Sequence, residues 1–341
     1  MQNWIKILSG LLLVQLVLAV VIILSGEEHG AFQSKEKLLA FEEQSVNGVR
    51  IESEGKTLML QKQEGRWLLP EQGGFPAERE AVQRLLDKLA GLQQGWPVAT
   101  SDSAQRHFKV AEDEFQTRLT LLADDRTLAQ LYVGTSPGFR KVHVRPATQE
   151  AVYAVNFNSW EASVKSDDWI DKEQLKLDQA NLARIELPGV VLQRQDDGFQ
   201  VADLGGQEKT NQEAVQGLLD ELSGLRIQSL LGSEAKPEYR QDQPALEIKV
   251  IGKTGEPLTY RFSKPEQGAY DVLKRSDLDF YFKIPEFSVK PLLETNRAKL
   301  VQSDVEATTA TPAEAQESAA PMQATTAVET TMPKDPAPPA E

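Results

Sequence analysis

The residues closest to a catalytic motif are Gly134-Thr135-Ser136-Pro137-Gly138, which fit the G-x-S-x-G pattern of serine hydrolases. In that motif a strand leads into a sharp turn, and a helix begins behind the serine. Here residues 141–145 alternate between polar and apolar side chains, which predicts a strand in place of the helix. We therefore interpret the five residues as a hairpin loop, and a hydrolase with Ser136 as nucleophile is the third of three hypotheses for function.

A second pattern suggests phosphate binding. Gly252-Lys253-Thr254 resembles the end of a P-loop, whose backbone amides and helix N-terminus hold phosphate. The P-loop requires a glycine five residues before Gly252, where this chain has Glu247, and a strand is predicted next. The pattern thus favours a turn, and we expect no cofactor.

Residue types that ligate metals are scattered. No two histidines have the spacing of a metal pair on a helix; they are His29, His107 and His143. The densest acidic segment, Asp167-Asp168-Trp169-Ile170-Asp171, lacks the ligand spacing and the glycine of a calcium-binding loop. We expect no metal site, and we interpret the acidic segment as a solvated connector that holds Trp169 between the two repeats described below.

Composition excludes several classes of protein. The 341 residues are enough for two or three domains. The net charge of -14 and the absence of a dense Lys/Arg stripe argue against a nucleic-acid partner. Because the chain has no cysteine, it has no disulfide, no thiolate nucleophile and no sulfur-ligated metal.

The first 26 residues predict an uncleaved transmembrane anchor. Residues 7–24 form an uncharged, mainly apolar run, at the short end of what spans a hydrocarbon core of about 30 Å. The residues assigned to the anchor are Trp4, Lys6, Leu11, Val17 and Leu24. Lys6 precedes the run and Glu27 follows it, so the positive-inside rule places the N-terminus in the cytoplasm. For a bacterium this predicts a single-pass inner-membrane protein with a periplasmic bulk. A cleaved signal peptide is the alternative, for which Leu24-Ser25-Gly26 is a poor cleavage site.

One pattern, E-A-V-Q-x-L-L-D-x-L-x-G-L, occurs at residues 80–92 and again at 213–225. A pattern repeated at a long fixed spacing indicates a duplicated structural unit. We therefore predict a tandem duplication. The predicted organisation is an anchor at 1–26, a connector at 27–45, repeat domain 1 at 46–165, a linker at 166–180, repeat domain 2 at 181–302 and a disordered Ala/Thr/Pro/Glu-rich tail at 303–341.

Each repeat is predicted to be α+β. The apolar residues from Val82 to Leu89 recur at i, i+3, i+4 and i+7, which predicts one amphipathic helix that ends near Gly91. Alternating segments before and after it predict an antiparallel sheet with one solvent-exposed face and one face on the helix. A further helix is predicted at residues 287–300.

This combination resembles the domain of unknown function 4340 family. The residues that carry the resemblance are Gly65-Arg66-Trp67, Tyr132-Val133-Gly134, Val152-Tyr153 and the acidic connector at 167–171. Repeat 2 departs from the pattern, with Phe199 in place of the tryptophan. Such proteins are often encoded beside gliding-type ABC transporter components, so the resemblance implies an accessory role in a membrane complex.

Three hypotheses for function follow. The first is a non-enzymatic, membrane-anchored, extracytoplasmic accessory or scaffold subunit of an ABC-type transport or envelope system, with permease or ATPase subunits as partners. The second is a stand-alone module that binds an envelope polymer, either glycan or peptide. The hydrolase comes third.

Overall fold

The computed structural model describes residue 15 and residues 36–138, 140–196 and 198–303. The predicted anchor at 1–26 lies outside these residues except for Gln15, and so do His29 and the predicted tail from residue 304 onward. Among the residues that are described, no helix is both long enough and apolar enough to cross a membrane. The anchor and the tail therefore stay predictions from the sequence.

Antiparallel strands dominate the fold. The first nine are β1 (Gly48–Ser53), β2 (Lys56–Gln63), β3 (Arg66–Leu69), β4 (Phe75–Pro76), β5 (Pro97–Ala99), β6 (Thr117–Ala123), β7 (Arg126–Val133), β8 (Lys141–Pro146) and β9 (Val152–Asn156). They form sheet 1 in the order β4-β3-β2-β1-β6-β7-β8-β9-β5.

The later strands are β10 (Leu182–Leu187), β11 (Val190–Gln195), β12 (Gly198–Val201), β13 (Glu208–Thr210), β14 (Ser229–Gly232), β15 (Leu246–Gly252), β16 (Leu258–Ser263), β17 (Tyr270–Arg275), β18 (Tyr281–Pro285) and β19 (Val301–Ser303). Sheet 2 has the order β12-β11-β10-β15-β16-β17-β18-β14, and β13 pairs with β19. Adding nine to each strand number of sheet 1 gives the order of sheet 2, except that β13 pairs with β19 and not with β12.

Few helices accompany the sheets. They are α1 (Arg79–Ala90), α2 (Asp102–His107), α3 (Gln212–Ser223), α4 (Glu286–Leu293) and α5 (Arg297–Leu300). Short 3-10 helices are Glu43–Ser45, Pro70–Gln72, Ser159–Ala162, Ser166–Asp168, Gln179–Asn181 and Pro237–Tyr239. Antiparallel sheets with few helices confirm the predicted α+β class. We call β1–β9 with α1 and α2 unit 1, and β10–β19 with α3–α5 unit 2.

The two longest helices cover one face of each sheet. The apolar stripe of α1 from Val82 to Leu89 is buried, as is that of α3 from Val215 to Leu222, which confirms the predicted amphipathic helices. Both helices end before a glycine, as predicted for α1, but Gly91 and Gly224 have right-handed φ angles of -83° and -85°. A Cβ atom at Gly91 would lie 3.2 Å from the Asp87 carbonyl oxygen. A side chain at Gly91 would thus be tight against the preceding turn, and no left-handed backbone is involved.

The opposite face of each sheet is partly covered, so the predicted solvent-exposed face is wrong in its centre. In unit 1 the buried Arg145 donates from Nε to the Val110 carbonyl oxygen at 2.8 Å, and its guanidinium lies 4.5 Å from the ring centre of Tyr132. In unit 2 the buried Ser263 donates to the Tyr239 carbonyl oxygen. The connections before β6 and β15 return across these faces and exclude water from them.

The helix predicted at 287–300 is broken. Residues 286–293 form α4 and residues 297–300 form α5. Asn296 has an extended backbone, and its side-chain oxygen accepts from the Lys299 amide at 3.2 Å, which is the geometry of a helix N-cap. An asparagine in this conformation begins a new helix and separates it from the preceding one.

The linker and an aromatic cluster join the two units. Phe75 of β4 is fully buried and meets Phe280 and Phe282 edge-to-face, with ring centres 5.0 and 5.9 Å apart. The Ser229 hydroxyl donates to the Asp167 carboxylate at 2.8 Å. Linker contacts with both units and a shared aromatic cluster fix the units against each other.

Candidate binding cleft

The candidate site is a cleft of about 800 Å³ between α1 and the segment that follows β9. One wall consists of Ala81, Arg84, Leu85, Asp87 and Lys88 of α1. The other consists of Trp160, Glu161, Ser163, Asp168, Trp169 and Lys172. A volume of this size accommodates a small molecule or several residues of a peptide.

The period of the α1 helix produces the first wall. Its apolar stripe faces sheet 1, whereas Ala81, Arg84 and Lys88 lie at i, i+3 and i+7 beside that stripe. Leu85 is buried and contributes apolar surface to the cleft. The helix therefore offers an apolar strip edged by two cationic side chains.

Hydrogen bonds hold the second wall in place. The Trp169 indole donates from Nε1 to the Ser163 carbonyl oxygen at 2.8 Å, and the Ser163 hydroxyl donates to Asp168 Oδ2 at 2.5 Å. The Glu78 amide, just before α1, donates to the Trp169 carbonyl oxygen at 2.7 Å. The linker is thus tied to the start of the helix, and the two walls keep a fixed spacing.

Trp160 is the most unusual residue of the cleft. Its side chain is 74% exposed, whereas Trp67 and Trp169 are 6% and 4% exposed, so it contributes little to the core. An exposed indole on the wall of a cleft offers a large rigid face for stacking at a small cost in side-chain entropy. This residue is the best candidate for direct contact with a ligand.

The charged groups of the cleft differ in their partners. Arg84 forms an ion pair with Glu78 at 3.2 Å, Asp87 accepts from Gln83 at 2.7 Å and Glu161 accepts from Asn158 at 2.8 Å. Lys88 and Lys172 make no ion pair with any described residue. The cleft therefore presents free ammonium donors next to an aromatic face, which suits binding of groups rich in hydrogen-bond acceptors.

Comparison with known families shows which family the chain belongs to. A family model described as "Domain of unknown function (DUF4340)" matches residues 67–244, which is more than half of the chain. The chain belongs to the DUF4340 family. The resemblance predicted from the sequence is thereby confirmed, and the matched span contains both walls of the cleft. Searches of curated proteins and of solved structures each gave no match.

The structure explains one of the motifs from which the resemblance to the DUF4340 family was predicted. In Tyr132-Val133-Gly134, a Cβ atom at Gly134 would lie 2.0 Å from the Phe108 carbonyl oxygen. The Thr135 amide donates to the same oxygen at 2.9 Å. Glycine is thus required where the end of β7 passes against the segment after α2.

Ser136 does not form a catalytic pair with His143. The Ser136 hydroxyl donates to the carbonyl oxygens of Lys141 and Gly138 at 2.6 and 2.8 Å. His143 Nδ1 lies 2.9 Å from the Thr135 hydroxyl, and its ring centre is 4.1 Å from that of Phe108. Burial lowers the pKa of His143 below its usual range. The loop between the antiparallel β7 and β8 is a hairpin, as predicted.

The other sequence candidates have structural partners. Asp167 and Asp168 accept from serine hydroxyls, and Asp171 accepts from the Glu173 amide at 3.0 Å. Within the described residues, no group of three or more metal-ligating side chains comes together. The turn after β15 has its Lys253 amide bonded to the Asn181 carbonyl oxygen at 2.7 Å.

Sequence reasoning did not single out Trp160. The available signal was a tryptophan between the polar residues Ser159 and Glu161, seven residues after Tyr153 of the Val152-Tyr153 motif and outside any apolar period. Such a residue is either exposed or buried by distant parts of the chain, and only the fold distinguishes these outcomes.

A smaller groove of about 480 Å³ lies at the corresponding helix of unit 2. It is lined by α3, α4 and α5 and includes Phe287, which is 78% exposed. Its ion pairs are internal, since Glu294 contacts both Lys290 and Lys299 at 4.0 and 3.5 Å. This groove therefore has fewer free polar groups than the cleft of unit 1.

Proposed function

We propose that this DUF4340 member is a non-enzymatic, membrane-anchored, extracytoplasmic accessory subunit of a membrane transport or envelope assembly. Residues 1–26 would anchor it and the two units would be tandem copies of one fold. The matching strand orders and the repeated helix pattern support the duplication. The family resemblance, with its implied link to gliding-type ABC transporter components, supports the assembly.

The observation that carries a binding role is the Trp160 cleft. It joins an exposed indole, buried Leu85 and two lysines, Lys88 and Lys172, that form no ion pair within the described part of the chain, on two walls of fixed spacing. Aromatic side chains in such positions commonly dominate the binding energy of protein interfaces. A polypeptide segment of a membrane subunit is the occupant that this function requires.

Photo-crosslinking in intact cells tests the proposal. A photoreactive phenylalanine analogue placed at Trp160 should capture a permease subunit, identified by mass spectrometry after detergent extraction, and the ATPase subunit should be recovered only by copurification with that permease. The same analogue at Phe287, which is equally exposed on unit 2, is the matched control. Capture of such subunits from position 160 and not from position 287 supports the proposal, and efficient crosslinking that yields no membrane subunit contradicts it.

Affinity for the captured subunit gives the second measurement. Trp160→Ala should weaken binding by about 2 kcal/mol or more, as expected for an aromatic hot spot. Trp160→Phe should retain part of the affinity because it keeps an aromatic face. Circular dichroism should show unchanged folding for both, since the indole is largely exposed.

An envelope polymer is the second candidate occupant. Trp160 stands on an open cleft, and indole faces also stack on sugar rings. Retention on purified cell-wall material that is lost in Trp160→Ala, together with no crosslinked membrane subunit, would favour this candidate over the accessory role.

A further inference from the structure

We propose that the surface around Trp96 docks unit 1 on the lipid bilayer in which the chain is anchored. The inference rests on the proposed anchor at residues 1–26. We call this surface the Trp96 face and define it by Trp96, Val98, Lys37 and Lys141.

Apolar exposure marks the Trp96 face. Trp96 is 77% exposed and Val98 is 47% exposed, whereas most large apolar residues of unit 1 are buried. They flank Pro97 at the start of β5, the edge strand of sheet 1. Because proline has no amide hydrogen, Pro97 weakens this edge as a template for another strand. The exposed side chains therefore suit an occupant that contacts them without strand pairing.

The path of the chain places its first described residues, from Glu36 onward, beside this face. The Gln94 amide donates to the Glu36 carbonyl oxygen at 2.9 Å, and the Leu38 amide donates to the Leu92 carbonyl oxygen at 2.8 Å. The first residues of the described segment thus pair with the residues that lead directly to Trp96. Buried Leu38 and Leu39 fix this entry point in the core of unit 1.

The length of the intervening chain limits the distance to the membrane. Only residues 27–35 separate the predicted anchor from Glu36. Fully extended, they would span about 30–35 Å, and any less extended path is shorter. The tether therefore cannot place Glu36 farther than about 30–35 Å from the end of the predicted anchor.

The chemistry of the face fits a lipid interface. Indole rings favour the headgroup level of bilayers, where one part of the ring is apolar and another donates a hydrogen bond. Lys37 and Lys141 are exposed, and Lys141 shares a cleft of about 340 Å³ with Gln94 and Gly95. Their ammonium groups match anionic headgroups, although the whole chain carries a net charge of -14. Local cations and an indole thus favour one orientation of an otherwise acidic protein.

Fluorescence quenching by brominated lipids tests the docking. The full chain is reconstituted in phosphatidylethanolamine–phosphatidylglycerol vesicles with and without bromine on the acyl chains near the headgroup. The Trp96 signal is the difference in tryptophan emission between the wild type and the Trp96→Phe variant. We expect brominated lipid to quench most of this signal. A Trp96 signal of equal intensity in both kinds of vesicle overturns the proposal.

Two further variants test whether the quenching is specific to the Trp96 face. Trp4→Phe reports the anchor: if the Trp4 signal is quenched and the Trp96 signal is not, the docking is wrong and the anchor stands. If the Trp4 signal is unquenched, the proposed anchor itself fails. Phe287→Trp places an indole at an equally exposed site on unit 2 and should show no quenching. Equal quenching at positions 96 and 287 indicates adsorption without orientation and also overturns the docking.

Discussion

The strands β8 and β17 occupy the same place in the two sheets, yet they carry a polar side chain on opposite faces. In unit 1 Val142 pairs with Val155 on the core face. In unit 2 the corresponding pair is Asp271 and Ile284. The next residues reverse the pattern, because His143 of β8 corresponds to the buried Val272 of β17.

The two polar groups differ in how they are satisfied. His143 has the Thr135 hydroxyl at 2.9 Å and the Phe108 ring against it. Asp271 is 1% exposed, and neither of its carboxylate oxygens has a hydrogen-bond partner among the described residues. Burial raises the pKa of Asp271 above its usual range, while Lys264, paired with Glu286 at 2.7 Å, opposes the shift. The comparison teaches that equivalent strands of the two sheets can each bury a polar group, on either face, at a cost that depends on its hydrogen-bond partners.

The largest expected loss of stability comes from placing a carboxylate on the core face of unit 1, as in unit 2. Val142→Asp should destabilise the protein by about 3 kcal/mol or more, because it buries a charge that has no partner. Denaturant unfolding at neutral pH measures the change. Val142→Ala, which leaves only a small cavity, is the control, and a loss for Val142→Asp no larger than for Val142→Ala would contradict the argument.

Removing the carboxylate from unit 2 should change the stability in the opposite direction. Asp271→Val should stabilise the protein by about 1–3 kcal/mol at neutral pH, because a buried unsatisfied group is replaced by an apolar one. The pKa of Asp271 is higher in the folded than in the unfolded chain, so the folded protein favours the protonated carboxyl group. Its favourable contribution to stability is therefore complete below the usual pKa of about 3.9 and is lost as the pH rises.

The gain from Asp271→Val should therefore be larger at neutral pH than near pH 4, as measured by unfolding curves at both values. Asp271→Asn, which cannot ionise but still needs hydrogen bonds, separates charge from polarity. Destabilisation by Asp271→Val at neutral pH would show that the carboxylate has a stabilising partner.

The smallest expected effect concerns His143. Its folded pKa is lowered by burial, so the unfolded chain takes up the proton first. The contribution of the neutral ring is present above the usual histidine pKa of about 6.5 and is lost as the pH falls.

We expect the stability of the wild type to decline between about pH 7 and about pH 5 more steeply than that of His143→Gln, by less than the Asp271→Val change. Thermal unfolding across this range measures the two slopes. Parallel slopes would mean that His143 titrates alike in the folded and unfolded chain.

The cleft of unit 1 and the groove of unit 2 extend the comparison to binding. Both adjoin the repeated helix, and both include an exposed aromatic ring, Trp160 or Phe287. In unit 2 Glu294 pairs with two lysines, whereas Lys88 and Lys172 of unit 1 lack ion-pair partners within the described part of the chain. Two sites with similar backbones therefore differ in the charged groups that they offer to a ligand.

Local patterns determined much of the fold in advance. The stripe from Val82 to Leu89 specified α1, because its spacing matches the helical period. Glu64 and Gly65 specified the turn between β2 and β3, where both have positive φ angles of 49° and 81°. The same local reading identified the loop at Ser136 as a hairpin.

Only the tertiary structure decided the candidate site and the polar interior. Trp160 faces a cleft because the linker is tied to the start of α1 about ninety residues earlier in the chain, through Trp169 and Glu78. Asp271 is buried because its strand position places it against the core, although an aspartate in an alternating segment predicts an exposed face. Sequence spacing fixes which residues share a helix stripe or a strand face. Burial and hydrogen-bond partners depend on contacts between residues distant in sequence, and these exist only once the chain has folded.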